Sequence, residues 1–524
     1  MTETDPTRRS SPPRILRGAA WCRVALIFGT AAFLLLVLIP GVLWVLGGGE
    51  PTVSVDYVAK INRRAAAVLP DDRALPIYLE LVPELSDFRG DGYRAMLDDA
   101  APGNNAMDRL AELIGVNTGV IDRIREAAAK PGLGYVIGLD NERAYEQAFG
   151  NEAGAWTDEE EQTEPRWLLN ALLPQIGSAR SMARVLSGDT RVAAMAGDGD
   201  RALDNLDAQL SLAEHADEHG FLIGQMTTFL IESSAIEDLA WVLDMSPNTF
   251  DDSHLAAADA MLREMQDAGP RVIDYSVERD MFSDTIQRMY TDDGRGNGHL
   301  TTRGRAVADE VKGEYSWPAG GPHVARMRTG FVRLVAADRR TAIETVDEMF
   351  ARLETDAARP RREWSGRPKS KELERLEFGY LDSEWDFGMR ALALLEPAAD
   401  RASRSADRVT AQIDAVLLRI ALERYRRDHR GWPESVERLS PAYLDPLPMD
   451  PFGGGPLRFT ASPAGITVYS TGTDRDDDRG RTAHYTNYWY LPAEGRRRAA
   501  EIPDFYDGDW VLLEPLEVNA DDDE

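Results

Sequence analysis

Cysteine is nearly absent: the 524 residues contain one, Cys22. No disulfide can staple this chain to itself, so its stability must rest on buried apolar area, for which its length is ample. Lysine is scarce as well, with five against 54 arginines, and acids outnumber bases 89 to 59 for a formal net charge of −30. A charge of that sign repels phosphate and excludes nucleic acid as a partner. It keeps a protein dissolved, and we read the acidity as solvation, whether set by genome composition or by salty surroundings. Also missing are a Gly-Lys-Ser/Thr phosphate loop, a nucleophile elbow, a paired-cysteine zinc pattern and a dinucleotide fingerprint. The chain is therefore read as non-enzymatic.

What is present begins with Val24 to Leu46, 23 residues without a charge. At about 1.5 Å per residue a helix of that length crosses a hydrocarbon layer of roughly 30 Å. Pro40 lies within it, and Trp21 and Trp44 lie where an aromatic belt would form. In residues 1–23, Arg8, Arg9, Arg14, Arg17 and Arg23 face only Glu3 and Asp5, so this end carries +3 and the remainder −33. The arginine excess predicts a cytoplasmic N-terminus and an extracytoplasmic bulk. The alternative is a cleaved signal peptide, whose apolar stretch is about 7 to 15 residues and ends at small residues. Leu46-Gly47-Gly48-Gly49 fits that pattern poorly.

From about Val55 to Leu395 the periodicity is helical. Met107, Leu110, Leu113 and Ile114 share one helical face. Residues 180–216 resemble one tetratricopeptide-type hairpin, with Gly197-Asp198-Gly199-Asp200 as the turn, Asp200 as the expected cap, and Leu203, Leu206, Leu210 and Ala213 as the buried stripe of a helix ended by His219-Gly220. No second copy recurs at a fixed period, so a repeat array is not expected. Residues 150–166 and 359–371 are polar and aperiodic, the best candidates for linkers.

Residues 404–516 form the most informative stretch. Val409, Ile413, Val416, Leu417 and Ile420 predict an amphipathic helix, stopped at Gly431-Trp432-Pro433. An Asp450-Pro451-Phe452-Gly453 loop follows, then two β-type runs around Pro463-Ala464-Gly465, an acidic stretch at Asp474, Asp476, Asp477 and Asp478, an aromatic strand-prone run over Thr482–Tyr490, and Gly508–Pro515 to close the sheet. This order of parts resembles the extracytoplasmic domain of the major pseudopilin of type II secretion systems. The resemblance also takes in Tyr425, Asp428, Trp432 and Pro433, and the Tyr469, Ser470, Gly472, Asp474 pattern before the acidic loop. It implies an α+β head and calcium held by Asp474, Asp477 and Asp478. Arg475 and Arg479 depart from the family, which often has glycine there. The membrane helix lacks the prepilin glutamate and cleavage glycine, so pilus assembly by the family's route is not implied.

Two further patterns call for weighing. His215-Ala216-Asp217-Glu218-His219 matches the H-x-x-E-H zinc motif, with an exposed polar helix end as the simpler reading. Asp292-Asp293-Gly294 begins like an EF-hand, but counted from Asp293 the twelfth position is Gly304 where a bidentate glutamate is needed, leaving a glycine-rich surface loop.

The expected fold is mainly α: a cytoplasmic segment 1–23, a single transmembrane helix 24–46, a large irregular α-helical domain 51–358, a linker and connecting helix 359–403, a small pseudopilin-like α+β domain 404–516 and an acidic tail 517–524. The expected function is a membrane-anchored extracytoplasmic binding or scaffold protein. Its partners would be the membrane and other proteins, the latter docking on a concave helical surface. An accessory factor of type II secretion is the first alternative, and a zinc hydrolase built on His215 and His219 the second.

Overall fold

The computed structural model describes residues 26–150, 167–304, 321–333, 337–357, 387–462, 465–472, 475–482 and 508–515. The N-terminal arginines, both candidate linkers from 151 onward, Asp474, most of the aromatic run and the acidic tail lie outside the described residues. The principal helices are α1 (Leu26–Leu46), α2 (Leu75–Leu81), α3 (Asn105–Val116), α4 (Thr118–Ala128), α5 (Pro174–Met195), α6 (Gly199–Ala216), α7 (Leu222–Met245), α8 (Asp252–Asp267), α9 (Ser276–Met289), α10 (Gly321–Val332), α11 (Arg339–Ala357) and α12 (Phe387–His429). Strands β1 (Arg458–Ser462), β2 (Gly465–Ser470) and β3 (Trp510–Leu513) form one antiparallel sheet in that order. The expectation of a mainly helical chain with one apolar N-terminal helix and a small sheet is met. The chain divides into two compact units interleaved in sequence, one from Met1–Ser54, Thr285–Thr345 and Gly379–Arg390, the other from the rest.

In the first unit, α1 is long and apolar enough to cross a membrane, and its side chains are exposed, with Phe28 at 72% and Leu36 at 75%. That exposure distinguishes it from the core helix of a globular domain. Just before Pro40 the helix widens into a π-helical stretch, Leu34–Leu38. Proline removes an amide donor from the ladder, and a local π-bulge is one way a helix absorbs the loss.

In the second unit the hairpin of α5 and α6 is the centre. Gly197 takes a positive φ of 74° to make the turn, and Asp198, rather than Asp200, caps α6 by accepting from the Arg201 amide at 3.1 Å. The cap lies two positions earlier than expected because the helix starts at Gly199, where a side chain would meet His254 and the Thr249 carbonyl. The helix also ends sooner than expected, at Ala216. Its buried stripe includes Leu206 and Ala213 as the periodicity predicts, joined by Ala202, Leu212 and His215. α7 covers both members of the hairpin. Met107, Leu110 and Ile114 of α3 are buried as one face.

Between these apolar layers lies an ionic network that periodicity does not reveal. Asp189 of α5 is fully buried and accepts from Arg125 of α4 at 2.6 Å, from Arg201 of α6, and from Asn205 at 2.8 Å. Removing one partner from such a cluster leaves a buried charge uncompensated, a loss on the order of 3–5 kcal/mol.

The C-terminal helix buries Val409, Ile413, Val416, Leu417 and Ile420 as expected. Part of its buried surface faces α7 and α8: Arg419 bonds Asp244 at 3.0 Å, Asp414 accepts from Gln266 at 2.6 Å, and Arg427 donates to the carbonyl of Phe250 at 2.8 Å. Helix α12 is thus docked on the helical part of the same compact unit. β1 and β2 pair from Arg458↔Tyr469 to Ser462↔Gly465, so Gly465 belongs to the strand end. β3, from the Gly508–Pro515 stretch, closes the sheet on β2 with a register shift at Val468/Tyr469.

Candidate functional site

The H-x-x-E-H motif is buried, contrary to the expectation of an exposed helix end: His215, Glu218 and His219 are 4%, 5% and 8% exposed. The physical reason is that α6 stops at Ala216 and the chain turns inward beneath the loop of Leu133 to Tyr135. Both ring nitrogens of His215 are engaged, Nδ1 with the Tyr78 hydroxyl at 3.2 Å and Nε2 with the Lys130 carbonyl at 3.0 Å. Glu218 accepts from the amides of Gly134 at 2.7 Å and Tyr135 at 3.0 Å. A carboxylate tied by two backbone amides serves as a loop clasp, and His219 lies beyond the helix that would have aligned it with His215. Burial pushes His219 down to about 4, with Arg64 adding to the fall and a backbone hydrogen bond to Tyr135 opposing it.

Beside it are carboxylates that sequence reading did not find. Glu278 of α9 is 3% exposed; one oxygen accepts from the Leu222 amide at the start of α7 and the other has no hydrogen-bond partner. Burial raises it to about 7, helped by the charges of Asp274 and Asp217. Asp217 is raised to about 6, again chiefly by burial, with Arg64 opposing. Glu278 carries no sequence signal beyond its place on the first turn of a helix.

In the acidic loop, the described aspartates have separate fates. Asp477 binds Arg458 at 2.7 Å, accepts from the Tyr469 hydroxyl at 3.0 Å and from the Arg479 amide at 3.0 Å. Asp478 pairs with Arg481 through one oxygen, while its Oδ2 is buried without a partner. Asp509, which the sequence did not single out, is 2% exposed; it accepts from the Gly480 amide at 2.6 Å and leaves Oδ1 buried without a partner. Burial raises Asp509, and the charges of Asp477 and Asp478 add to the rise. Arg475 and Arg479 take positive φ values of 66° and 59°, the left-handed conformation that favours glycine. Among the described residues no group of three or more histidines, cysteines, aspartates or glutamates is arranged to hold a metal ion.

The EF-hand-like stretch is a loop closed on itself. Asp292 accepts from Gly294 at 2.8 Å, and Asp293 from Arg295 at 2.8 Å and Asn297 at 3.0 Å.

The C-terminal end of α1 is built into the first unit. Arg326 donates to the Trp44 carbonyl at 2.9 Å with its guanidinium 3.9 Å above the Trp44 ring, whose Nε1 donates to His323 at 3.2 Å. Arg333 donates to the Leu46 carbonyl at 2.9 Å and Thr302 to that of Gly47 at 2.9 Å, and His299 lies 3.0 Å from the Gly48 carbonyl. The last carbonyls of a helix have no partner within it, and here side chains supply them. Gly47 and Gly330 sit where α1 and α10 meet; a methyl on either would overlap the carbonyl of Arg326 or Leu43. Close approach through small residues is how helices associate where no hydrophobic effect drives them. No known protein family, no curated protein and no solved structure matches this chain.

Proposed function

We propose that the protein is anchored in the cytoplasmic membrane by α1, with its N-terminus in the cytoplasm and its bulk outside, and that it serves there as a non-enzymatic binding or scaffold protein. The observation that carries this reading is the join at the end of α1. Arg326, Arg333, Thr302 and His299 bond carbonyls between Trp44 and Gly48. Removal of a signal peptide near Gly47 would strand these side chains, so their engagement supports a retained anchor. The outward-facing apolar side chains of α1 support the same reading, and the arginine excess before Val24 supports its orientation. The scaffold assignment draws on the commitment of the His215 and Glu218 side chains to packing and loop clasping. The experiment has two parts: a reporter after Glu524 active only outside the cytoplasm, and a mature N-terminus upstream of Val24 in protein that resists alkaline extraction from membranes. A mature chain beginning near Gly47 would remove the anchor, and a cytoplasmically active reporter would remove the location.

A bound calcium ion is a second element of this reading, favoured by one observation. Asp478 Oδ2 and Asp509 Oδ1 are buried oxygens without partners, and a hard cation takes such oxygens. The residues that would hold it are Asp478 and Asp509, while Asp477 is engaged by Arg458 and Asp474 lies outside the described residues. Its role would be to fix the loop against β3. Type II secretion rests on the resemblance of residues 404–516, and crosslinking to a secretion component would test it.

A further inference from the structure

We propose that Glu278 is a proton-operated latch, holding the turn between α6 and α7 against the start of α9 while its carboxyl keeps a proton and releasing the turn when that proton is lost. The turn, residues 217–221, is tied to α9 by polar bonds at two side chains. Glu278 Oε1 accepts from the Leu222 amide. Gln225 donates to the carbonyls of Gly220 at 2.9 Å and Asp274 at 2.7 Å, and accepts from the Asp274 amide at 2.9 Å. Gly220 makes the turn at a φ of 77° and passes so near α9 that a Cβ there would lie 3.3 Å from the Val277 side chain. Phe221, Leu222 and Val277 are buried at this junction.

The junction gathers negative charge around a buried carboxyl. Glu278 is 3% exposed, and its Oε2 is buried without a hydrogen-bond partner. The charges of Asp274, just ahead of α9, and of Asp217, in the turn, both act on it. Asp217 leaves its own Oδ1 buried without a partner. The other charged groups nearby have their own engagements. Glu232 of α7 holds Arg271 at 2.8 Å, Arg279 of α9 holds Glu354 at 2.8 Å, and Glu218 is taken by the Gly134 and Tyr135 amides. Arg64, exposed on the short helix Arg63–Ala67, acts on Asp217, Glu218 and His219, and burial keeps His219 neutral. A proton on Glu278 Oε2 removes a desolvated charge from beside two like charges and leaves Oε1 for the Leu222 amide. Opening of the turn returns the carboxyl to water, where its value is near 4.3, against about 7 in the closed state. The latch is therefore fully closed below the lower value and loses its hold as pH rises through the upper one. Opening grows about tenfold per pH unit between the two and levels off above. Release uncovers Phe221, Leu222 and Val277 and slackens the neighbouring Glu218 clasp, so this surface is covered in acid and offered at neutral pH.

The test is amide hydrogen exchange of the detergent-solubilised full chain, read by mass spectrometry from pH 5 to 8. Protection factors, corrected for the intrinsic pH dependence of exchange, are compared for peptides covering 217–226 and 272–280 and for 409–420 of α12 as the control. Local opening exposes the amides of the opening segment alone. Protection should fall about tenfold per pH unit between pH 5 and 7 in the first two peptides and stay level in the third. Glu278→Gln, which keeps an acceptor for Leu222, should hold the pH 5 protection up to pH 8. Asp217→Asn, which keeps Glu278 and removes one like charge beside it, should shrink the fall. Protection at 217–226 that does not change with pH would overturn the latch. So would a fall shared equally by 409–420, or one that both variants leave as it is in the parent chain.

Discussion

Asp450 accepts both the amide and the hydroxyl of Thr471 on one oxygen, each at 2.9 Å, while its other oxygen accepts from Ser470 at 2.6 Å and from the Phe452 amide at 2.8 Å. The Asp-Pro-Phe-Gly loop is thereby clasped to the end of β2 by a carboxylate that is 4% exposed. Burial pushes this carboxyl up, but the Ser470 hydroxyl and the Thr471, Phe452 and Gly453 amides outweigh it and hold it below its ordinary value. The Asp450-Pro451-Phe452-Gly453 motif is architectural here.

Asp450→Ala should therefore destabilise the larger unit by about 2–3 kcal/mol, since each hydrogen bond to a charged group contributes about 1.5–3 and several donors are left unpaired. Because the folded pKa is depressed, the contribution is present above the unfolded value near 3.9 and lost as pH falls through the folded one. Thermal unfolding followed from pH 7 downward checks both statements. A wild-type advantage that does not shrink on acidification would contradict them.

Glu278 should behave in the opposite sense. Its folded value is raised to about 7, so its stabilising contribution is present below the unfolded value near 4.3 and is lost as pH rises through about 7. Glu278→Gln keeps an acceptor for the Leu222 amide and removes the charge. We expect it to raise stability at pH 8 by on the order of 1–3 kcal/mol and to change little at pH 5, measured by denaturant unfolding at the two values.

His215→Ala and His219→Ala should each cost about 1–3 kcal/mol, because both residues are buried and His215 satisfies Tyr78 and the Lys130 carbonyl. His219, held down at about 4, adds stability that is present above its unfolded value near 6.5 and lost as pH falls toward 4. Purified protein should contain no stoichiometric zinc. Zinc at one equivalent, lost in the double variant, would refute the clasping role.

The elements legible in the sequence were those with strong periodicity or punctuation: the uncharged run of α1, the faces of α3 and α12, the hairpin turn at Gly197 and the strands around Pro463. Periodicity reports which face is apolar and is silent about which polar residues are buried. Asp189, Glu278 and Asp509 are buried by partners distant in sequence, as Asp189 is by Arg125, 64 positions away. The H-x-x-E-H motif misled for the same reason, since helix-end exposure is a local inference and its burial comes from the loop at Leu133–Tyr135. The left-handed turns at Arg475 and Arg479 were visible only as departures from glycine.

The acidic loop supplies the last prediction, and its physics is linkage. A cation that binds only the folded state raises stability by RT ln(1 + [L]/Kd), about 2.7 kcal/mol at a hundredfold excess over Kd. If Asp478 Oδ2 and Asp509 Oδ1 take calcium, millimolar calcium should raise the melting temperature of the larger unit in detergent-solubilised full chain, and a chelator should reverse it. Magnesium should do less, because it holds its waters and demands stricter octahedral geometry. Asp478→Asn with Asp509→Asn should abolish the calcium response. In chelator the same double variant should be as stable as the parent or more so, because two buried carboxylate oxygens without partners have been removed. A melting temperature indifferent to both calcium and chelator would reject the ion. The loop would then be held by Arg458 on Asp477 and Arg481 on Asp478, the pairs already in place.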